Sequence, residues 1–315
     1  RSGELVNAVY GFASMLFKIF SDLQPDYLAV VFDTPGPTAR HQEYIGYKAN
    51  RPAADSELVG QIERVHELVK AFNIPVLELQ GYEADDIIAT VAKQVTRKTL
   101  STKKTKGLRG KESKLPPDFL SSQDPEVEVV VVTGDKDLMQ LVDEKVKLYM
   151  PGRGLSDGQF VGVEEVKKRM GVLPEQIVDY KGLVGDPSDN YPGVPGIGPK
   201  TAVELLKKFG GIEEIYRKLG DVKDVKEIGG ENTLKKLAEG AESAVLSKKL
   251  ATISTEVPIK LKLKDCVARD FDKEKVLALF RQLGFRSLAG RLTGEGKKKE
   301  SKGRPVEGDR QQSLF

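Results

Sequence analysis

The chain has 315 residues, 39% of them hydrophobic, enough to bury one sizeable core or a core with a smaller satellite. No apolar run is long enough to span a bilayer and the start carries no basic-then-apolar leader, so a soluble, cytoplasmic protein with no membrane partner is expected. One cysteine, Cys266, excludes an internal disulfide framework and a thiolate metal cage, while a formal charge of +3 hides basic clusters at residues 97–114 and 297–310.

In chain order, residues 4–23 read as a helix, and, with a start at Arg1 rather than Met, a true beginning further upstream is expected. Residues 27–32 form a short β-branched and aromatic run of the kind buried on both faces of a parallel sheet. After an Asp55 cap, Leu58, Val59, Ile62, Val65, Leu68, Val69 and Phe72 recur at helical spacing, and Asn73 closes the pattern before a strand at 74–79. A helix carrying Ile87, Ile88 and Val91 follows. Residues 97–126 then dissolve into Lys, Ser, Thr, Gly and Pro, which suggests a basic surface insertion that stays mobile. A strand at 127–132 completes an α/β first half, assigned to residues 1–162. Helices are expected at 163–170, 174–184, 199–209, 212–219, 234–238, 244–251 and 272–283, so residues 163–292 form a helical region. Residues 293–315 are polar and low in complexity, a disordered tail or linker with a sticky end.

The acids fall where strands end. Asp33 follows the first strand, Asp135 and Asp137 follow the strand at 127–132, and Glu83, Asp85 and Asp86 open the helix after the strand at 74–79. Asp186 and Asp189 end the helix at 174–184. In open α/β sheets ligands bind beyond the carboxyl ends of strands. Taken singly, each group has a plain explanation, because acids favour a first helical turn and Asp-Pro-Ser-Asp-Asn is ordinary turn chemistry. Converging, so many carboxylates would repel and raise one another's pKa unless cations neutralised them. Oxygen ligands without cysteine point to Mg²⁺ or Mn²⁺ and to phosphate chemistry, with two ions supporting in-line displacement at phosphorus. His41 and His66 lie near no serine or cysteine motif, which gives a Ser-His or Cys-His mechanism little support.

Gly193, Gly196 and Gly198, followed by Lys200 and Thr201, precede a helix that starts with Pro199. Such a turn can bring backbone N–H groups and a helix N-terminus to a phosphate, with Lys200 adding a full charge. By itself it is more often a plain loop. Arg40, Tyr44, Tyr47, Lys48 and Arg51 mix cations with aromatics, a combination that stacks on a base and holds a phosphate, or else forms an amphipathic surface helix.

Together, Val-Phe-Asp33, Tyr47-Lys48-Ala-Asn-Arg51-Pro, Gly-Tyr-Glu83-Ala-Asp85-Asp86, Thr-Gly-Asp135-Lys-Asp137, Gly-Asp186-Pro-Ser-Asp189-Asn and Gly-Val-Pro-Gly-Ile-Gly resemble the 5′-nuclease domain of bacterial DNA polymerase I, over residues 7–258. Flap endonucleases share this plan. The resemblance implies a PIN-like three-layer α/β nuclease domain with a parallel central sheet, a helical arch, and a helix-three-turn-helix region on the duplex. It implies 5′-3′ exonuclease and 5′-flap endonuclease activity in lagging-strand maturation and repair at the bacterial nucleoid. By motif, Asp33, Glu83, Asp85, Asp86, Asp135, Asp137, Asp186 and Asp189 match the metal carboxylates, and Arg40, Tyr47, Lys48 and Arg51 match the arch residues at the scissile phosphate. Residues 193–201 match the turn that binds the DNA backbone, often with a K⁺ ion.

Two departures stand out. The family's first strand, which carries a metal-binding aspartate, is absent from this sequence, and residues 97–114 lengthen a connection that is usually short. The first departure leaves a second reading open, a structure-specific DNA-binding module that does not cut. Gln311, Leu314 and Phe315 in residues 311–315 resemble a sliding-clamp docking peptide, and the tail could equally link to a fused polymerase domain.

Overall fold

A computed structural model describes residues 4–53, 55–104, 127–152, 158–220 and 222–294; the insertion beyond 104 and the tail with residues 311–315 lie outside the described residues. The chain divides into two compact units, one built from residues up to Val30, Ala54–Val76 and Leu263 onward, the other from Val31–Ala53 and Leu77–Lys262. Among the described residues, no helix is long and apolar enough to cross a membrane.

The first unit is helical. Helix α1 (Asn7–Asp22) packs on α3 (Ser56–Ala71), and α11 (Lys273–Gln282) packs on α3 and on α12 (Arg286–Thr293). Helix α3 starts where Asp55 accepts the Glu57 N–H at 2.9 Å, as a cap should. It stops before Asn73, whose φ of 53° lies in the left-handed region that Asn tolerates. Its buried face carries Val65, Leu68 and Val69, while Leu58, Val59 and Ile62 stay 45%, 49% and 41% exposed. The apolar stripe in the sequence is thus wider than the face this unit covers. An aromatic cluster fills the core: Phe72 stands 4.8 Å from Phe271 and 6.1 Å from both Phe17 and Phe280, measured between ring centres.

The second unit is mixed. Strand β3 (Val129–Val132) pairs parallel with β4 (Val146–Met150), and β4 pairs antiparallel with β5 (Gln159–Val161). Strands β4 and β5 were not foreseen, and in this sheet the parallel β3–β4 pair carries an antiparallel neighbour. Two-residue strands β1 (Val30–Val31) and β2 (Val76–Leu77), each at a point where the chain passes from the first unit to the second, make a separate small sheet. Helix α4 (Ala84–Lys104) runs eight residues past Thr96, where the apolar pattern in the sequence ends. Helices α5 (Val163–Met170), α6 (Ile177–Val184), α7 (Pro199–Phe209), α8 (Ile212–Arg217), α9 (Val222–Glu239) and α10 (Ala241–Ala251) follow, with α9 kinked at Gly230. Fully buried Leu148, Val161, Ile177, Leu183, Leu205 and Ile215 tie the sheet to these helices in one core. The tight α6–α10 contact depends on Gly182, where a Cβ would stand 3.3 Å from the Ala244 carbonyl and 3.1 Å from Lys248 Cβ.

Candidate metal centre and nucleic-acid interface

All of the acids singled out in the sequence lie in the second unit. Asp33 sits two residues beyond β1, and its Oδ1 accepts the Ala84 N–H at 2.8 Å, which fastens the first strand's exit to the start of α4. The helix places Glu83, Asp85 and Asp86 on its opening turn. Strand β3 delivers Asp135 and Asp137, whose loop folds back on itself as Asp135 Oδ1 accepts the Asp137 N–H at 2.8 Å. Beyond α6, Asp186 Oδ1 accepts Ser188 N–H at 2.8 Å and its hydroxyl at 2.7 Å, and Asp186 and Tyr191 exchange backbone hydrogen bonds that close the loop holding Asp189.

Electrostatics shows that these groups share a field. Burial, then the charges of Asp135, Asp33 and Glu83, push the Asp85 carboxyl up to about 7. Asp137 is also raised by burial, against the pull of Lys181, with Asp135 and Asp186 adding to the rise. Carboxylates that follow β1 and β3, open α4 and follow α6 therefore lie near enough to act on one another's charge. Among the described residues, Asp85 has no side-chain hydrogen bond, and Asp33, Asp85 and Asp135 pair with no cation.

The remaining acids are neutralised from within the chain. Glu83, 7% exposed, accepts from Thr38 Oγ1 at 3.0 Å, Tyr47 Oη at 3.1 Å and Lys48 Nζ at 2.9 Å. Although burial opposes ionisation of Glu83, Arg40 and Lys48 bring its pKa below the usual carboxylate value. Arg40 holds Asp86 through two bonds of 2.8 Å and also donates to the Leu250 and Thr252 carbonyls. Arg51 reaches Asp189 at 2.5 Å. Lys48, with φ of 54°, keeps its amide on the Asp189 carbonyl at 3.0 Å and its ammonium 4.9 Å from the Tyr47 ring centre. Arg40, Tyr47, Lys48 and Arg51 thus all line this site, but only Ala39–Glu43 is helical (α2), so the amphipathic-helix alternative fails. As arranged, no three Asp, Glu, His or Cys side chains among the described residues are gathered tightly enough to hold a metal ion.

Two residues of the site escaped the sequence reading. Buried Lys181 bridges Asp137 and Asp186, the latter at 2.6 Å; burial lowers its proton affinity but the two carboxylates more than restore it. A lysine inside the apolar turn Tyr-Lys-Gly-Leu of α6 was the available signal. Tyr191, 3% exposed, has a hydroxyl without a hydrogen-bond partner among the described residues, and it is raised by burial and then by Asp137, Asp186 and Asp189.

The glycine turn divides its labour. Gly193 is buried with φ of 63°; its N–H donates to Ser247 Oγ at 2.9 Å and a Cβ would stand 2.2 Å from the Gly185 nitrogen. Close packing of two backbones therefore accounts for Gly193, and its N–H does not face outward as expected. Gly196 and Gly198 are exposed, and Gly198 caps α7, with Pro199 in the first turn and Lys200 exposed beside it. Thr201 is half-buried.

The profile described as 5′-3′ exonuclease, N-terminal resolvase-like domain, matches residues 1–104, and the one described as 5′-3′ exonuclease, C-terminal SAM fold, matches residues 172–274. The chain belongs to the 5′-3′ exonuclease family. DNA polymerase I of Bacillus subtilis is 39% identical over 290 residues, which is 92% of this chain and 29% of the relative. DNA polymerase I of Geobacillus stearothermophilus is 40% identical over 295 residues, 93% of this chain and 30% of the relative. This exonuclease-family chain thus spans about three tenths of the length of the curated relatives it matches. Among solved structures, the T5 D15 protein co-crystallised with metal ions superposes with a TM-score of 0.57 at 17% identity, covering 91% of each chain. The catalytic core of Rad2 in complex with DNA gives 0.54 at 17% identity, covering 93% of this chain and 86% of that one. The exonuclease-family fold extends over nearly the whole chain.

Proposed function

We propose that this chain hydrolyses phosphodiester bonds of nicked, branched or flapped DNA as a 5′-3′ exonuclease and 5′-flap endonuclease, using two Mg²⁺ or Mn²⁺ ions. The observation that carries this reading is the meeting of carboxylates from four separate segments, with Asp85 lifted to about 7 by burial and by its neighbours. A binding module has no need of such a crowd, which favours hydrolysis over the non-cleaving alternative. The structural relatives support the same reading, since one is a T5 flap endonuclease in a complex with DNA and metal ions.

The donor chemistry fits hard divalent cations. Asp33, Asp85 and Asp135 are oxygen donors within one another's field and, among the described residues, pair with no cation; their side chains would have to turn toward one another to form a coordination shell. Asp137, Asp186, Asp189 and Glu83 would supply the remaining oxygen donors, near a Tyr191 hydroxyl that has no hydrogen-bond partner among the described residues. Bound there, two divalent ions would neutralise charge on the attacked phosphate and its leaving oxygen during in-line attack by water. Lys48 would release Glu83 and turn its ammonium to a phosphate oxygen, and Arg51, 51% exposed, would hold a neighbouring phosphate. Tyr47, with its ring in the core and its hydroxyl between Glu83 and Asp189, positions both carboxylates. Arg40 positions Asp86, because four of its five N–H groups are engaged by Asp86 and the Leu250 and Thr252 carbonyls, and its Nη1 nitrogen lies 3.5 Å from Glu83. Gly196, Gly198, Lys200 and Thr201 would take the DNA backbone at the N-terminus of α7, with Gly193 shaping the turn.

The working place of such a chain would be the bacterial cytoplasm at the nucleoid, in lagging-strand maturation and repair beside a DNA polymerase, fused or separate. Residues 311–315 would dock on the sliding clamp, which a pull-down with and without those five residues tests. For the central claim, the test is cleavage of a 5′-labelled flap with and without Mg²⁺, for the wild type and for Asp135→Ala with Asp137→Ala. Metal-dependent cutting that the double substitution removes while DNA binding persists is expected. Metal-independent cutting, or binding lost together with cleavage, would overturn it.

A further inference from the structure

The family resemblance implies a glycine turn that binds the DNA backbone, often with a K⁺ ion. In this chain four carbonyls of that turn already accept from donors of the chain itself. Gly193 O accepts from Ser243 Oγ at 2.6 Å, Val194 O from Ile197 N at 3.0 Å, and Gly198 O from Ala202 N at 3.0 Å. The remaining engaged carbonyl, that of the exposed Gly196, accepts from the ammonium of Lys236 at 3.0 Å. Lys236 comes from the far half of α9, beyond its kink at Gly230, and its half-buried stem lies directly over the turn. A Cβ on residue 196 would stand 2.8 Å from Lys236 Cε and 2.9 Å from its Nζ, so glycine with φ of 82° is what lets the lysine cross here. The Lys236 carbonyl in turn accepts the Gly240 N–H at 2.9 Å, which fixes the end of α9 against α10.

A primary ammonium and K⁺ are both compact monovalent cations that satisfy carbonyl oxygens, and two of them on one carbonyl would repel. We propose that Lys236 is this chain's built-in monovalent cation: it holds the glycine turn in its DNA-gripping form and presents a positive charge to the passing phosphate, so that DNA binding does not require K⁺. This rests on the reading that the turn between Gly193 and Thr201 grips DNA.

The experiment measures binding of a fluorescein-labelled 5′-flap duplex by anisotropy in EDTA, at one ionic strength, in KCl and in tetramethylammonium chloride. Tetramethylammonium is too large and too weakly coordinating to replace K⁺ on carbonyls. Wild-type affinity is expected to agree within about twofold between the two salts. Lys236→Met should bind roughly tenfold more weakly in tetramethylammonium, the effect of losing one charge-assisted contact, and recover most of that loss in KCl. Lys236→Arg, which keeps the charge, should behave like the wild type, and equal melting temperatures of all three would show that the turn's scaffold is intact. Wild-type binding that needs K⁺ would overturn the proposal, as would a Lys236→Met defect that K⁺ leaves unchanged, or no defect at all. Lys200→Glu separates the two failures: if it leaves binding untouched, the turn is not the DNA grip and the underlying reading falls as well.

Discussion

Replacing Asp85 with Asn isolates the electrostatic cost of assembling the site. In the folded chain, burial and then the charges of Asp135, Asp33 and Glu83 move this carboxyl from 3.8 up to about 7. An acid whose folded pKa lies above its unfolded one binds more protons when folded, so stability falls as pH rises between the two values. Below roughly pH 4 both states are protonated and there is no penalty; above roughly pH 7 both are ionised and the penalty is complete, at most roughly 4 kcal/mol. Asn matches the shape without the charge but adds an amide that needs partners, and each unmet donor costs roughly 1–3 kcal/mol. A net gain of about 2 kcal/mol is therefore expected at about pH 8 in metal-free protein, or roughly 5 °C in melting temperature for a chain of this size. Thermal denaturation followed by circular dichroism in EDTA, from about pH 4.5 to about pH 8.5, reads it. Asp85→Asn should be somewhat less stable than the wild type at the acid end, where only the cost of the amide remains, and its advantage should emerge as pH rises and level off above about pH 7. A constant difference across the range, or a variant less stable than the wild type at the alkaline end, would refute the claim that charge crowding loads this site. Saturating Mg²⁺ should then stabilise the wild type more than the variant, because the ion removes the same repulsion.

Lys181→Met should destabilise metal-free protein by about 3 kcal/mol in urea titrations, since it strands Asp137 and Asp186 beside each other, and Mg²⁺ should restore part of the loss. Lys48→Ala should slow flap cleavage at least tenfold, or about 1.4 kcal/mol in barrier, while changing DNA affinity by less than about threefold, because one phosphate contact among many contributes little to binding. Gly193→Ala should fold poorly, with a Cβ forced to 2.2 Å from the Gly185 nitrogen, and give little soluble protein. Gly198→Ala has open space around its Cβ and should melt like the wild type while binding DNA more weakly.

What the sequence revealed, and what it hid, follows from the range of the interactions. Helices α5 and α7 begin and end where periodicity places them, because their stops are local: Gly171 takes φ of 77° after α5, and Pro199 and Gly210 bracket α7. Strands β4 and β5 went unseen, since five and three residues leave little alternation to read and β5 exposes Phe160 by 51%. Helix α12 hid for a related reason, with Leu288 its one buried residue. Within the site, motif order was enough to name the acids but not their partners. Lys181 finds Asp137 at a separation of 44 residues, and Arg40 finds Leu250 at a separation of 210. No local pattern encodes those pairings.

The cations around the carboxylates differ in how firmly they are held, and that difference ranks the acids as ligands. Moving Arg40 off Asp86 would break its two bonds there, and both Asp86 oxygens are occupied in any case, Oδ1 also accepting the Ser254 N–H at 2.7 Å. Asp86 is therefore the acid least able to turn toward an ion, although the sequence ranks it equal to Asp85 beside it. Lys181 is similarly enclosed, 9% exposed at its side chain, so Asp137 and Asp186 would have to share their charge between an ammonium and a divalent cation. Lys48 and Arg51 are more open, with side chains 21% and 51% exposed, and each pairs with one carboxylate. An incoming phosphodiester can compete for these two at small cost, because partly exposed ion pairs contribute little. Ions are then expected to enter where Asp33, Asp85 and Asp135 lie within one another's field with no cation to displace, and the substrate to enter where Lys48 and Arg51 can let go. The fold keeps the first set of acids together against their repulsion, by the Asp33–Ala84 bond on one side and the Asp135 loop on the other. That retained repulsion is what would make the site bind ions strongly.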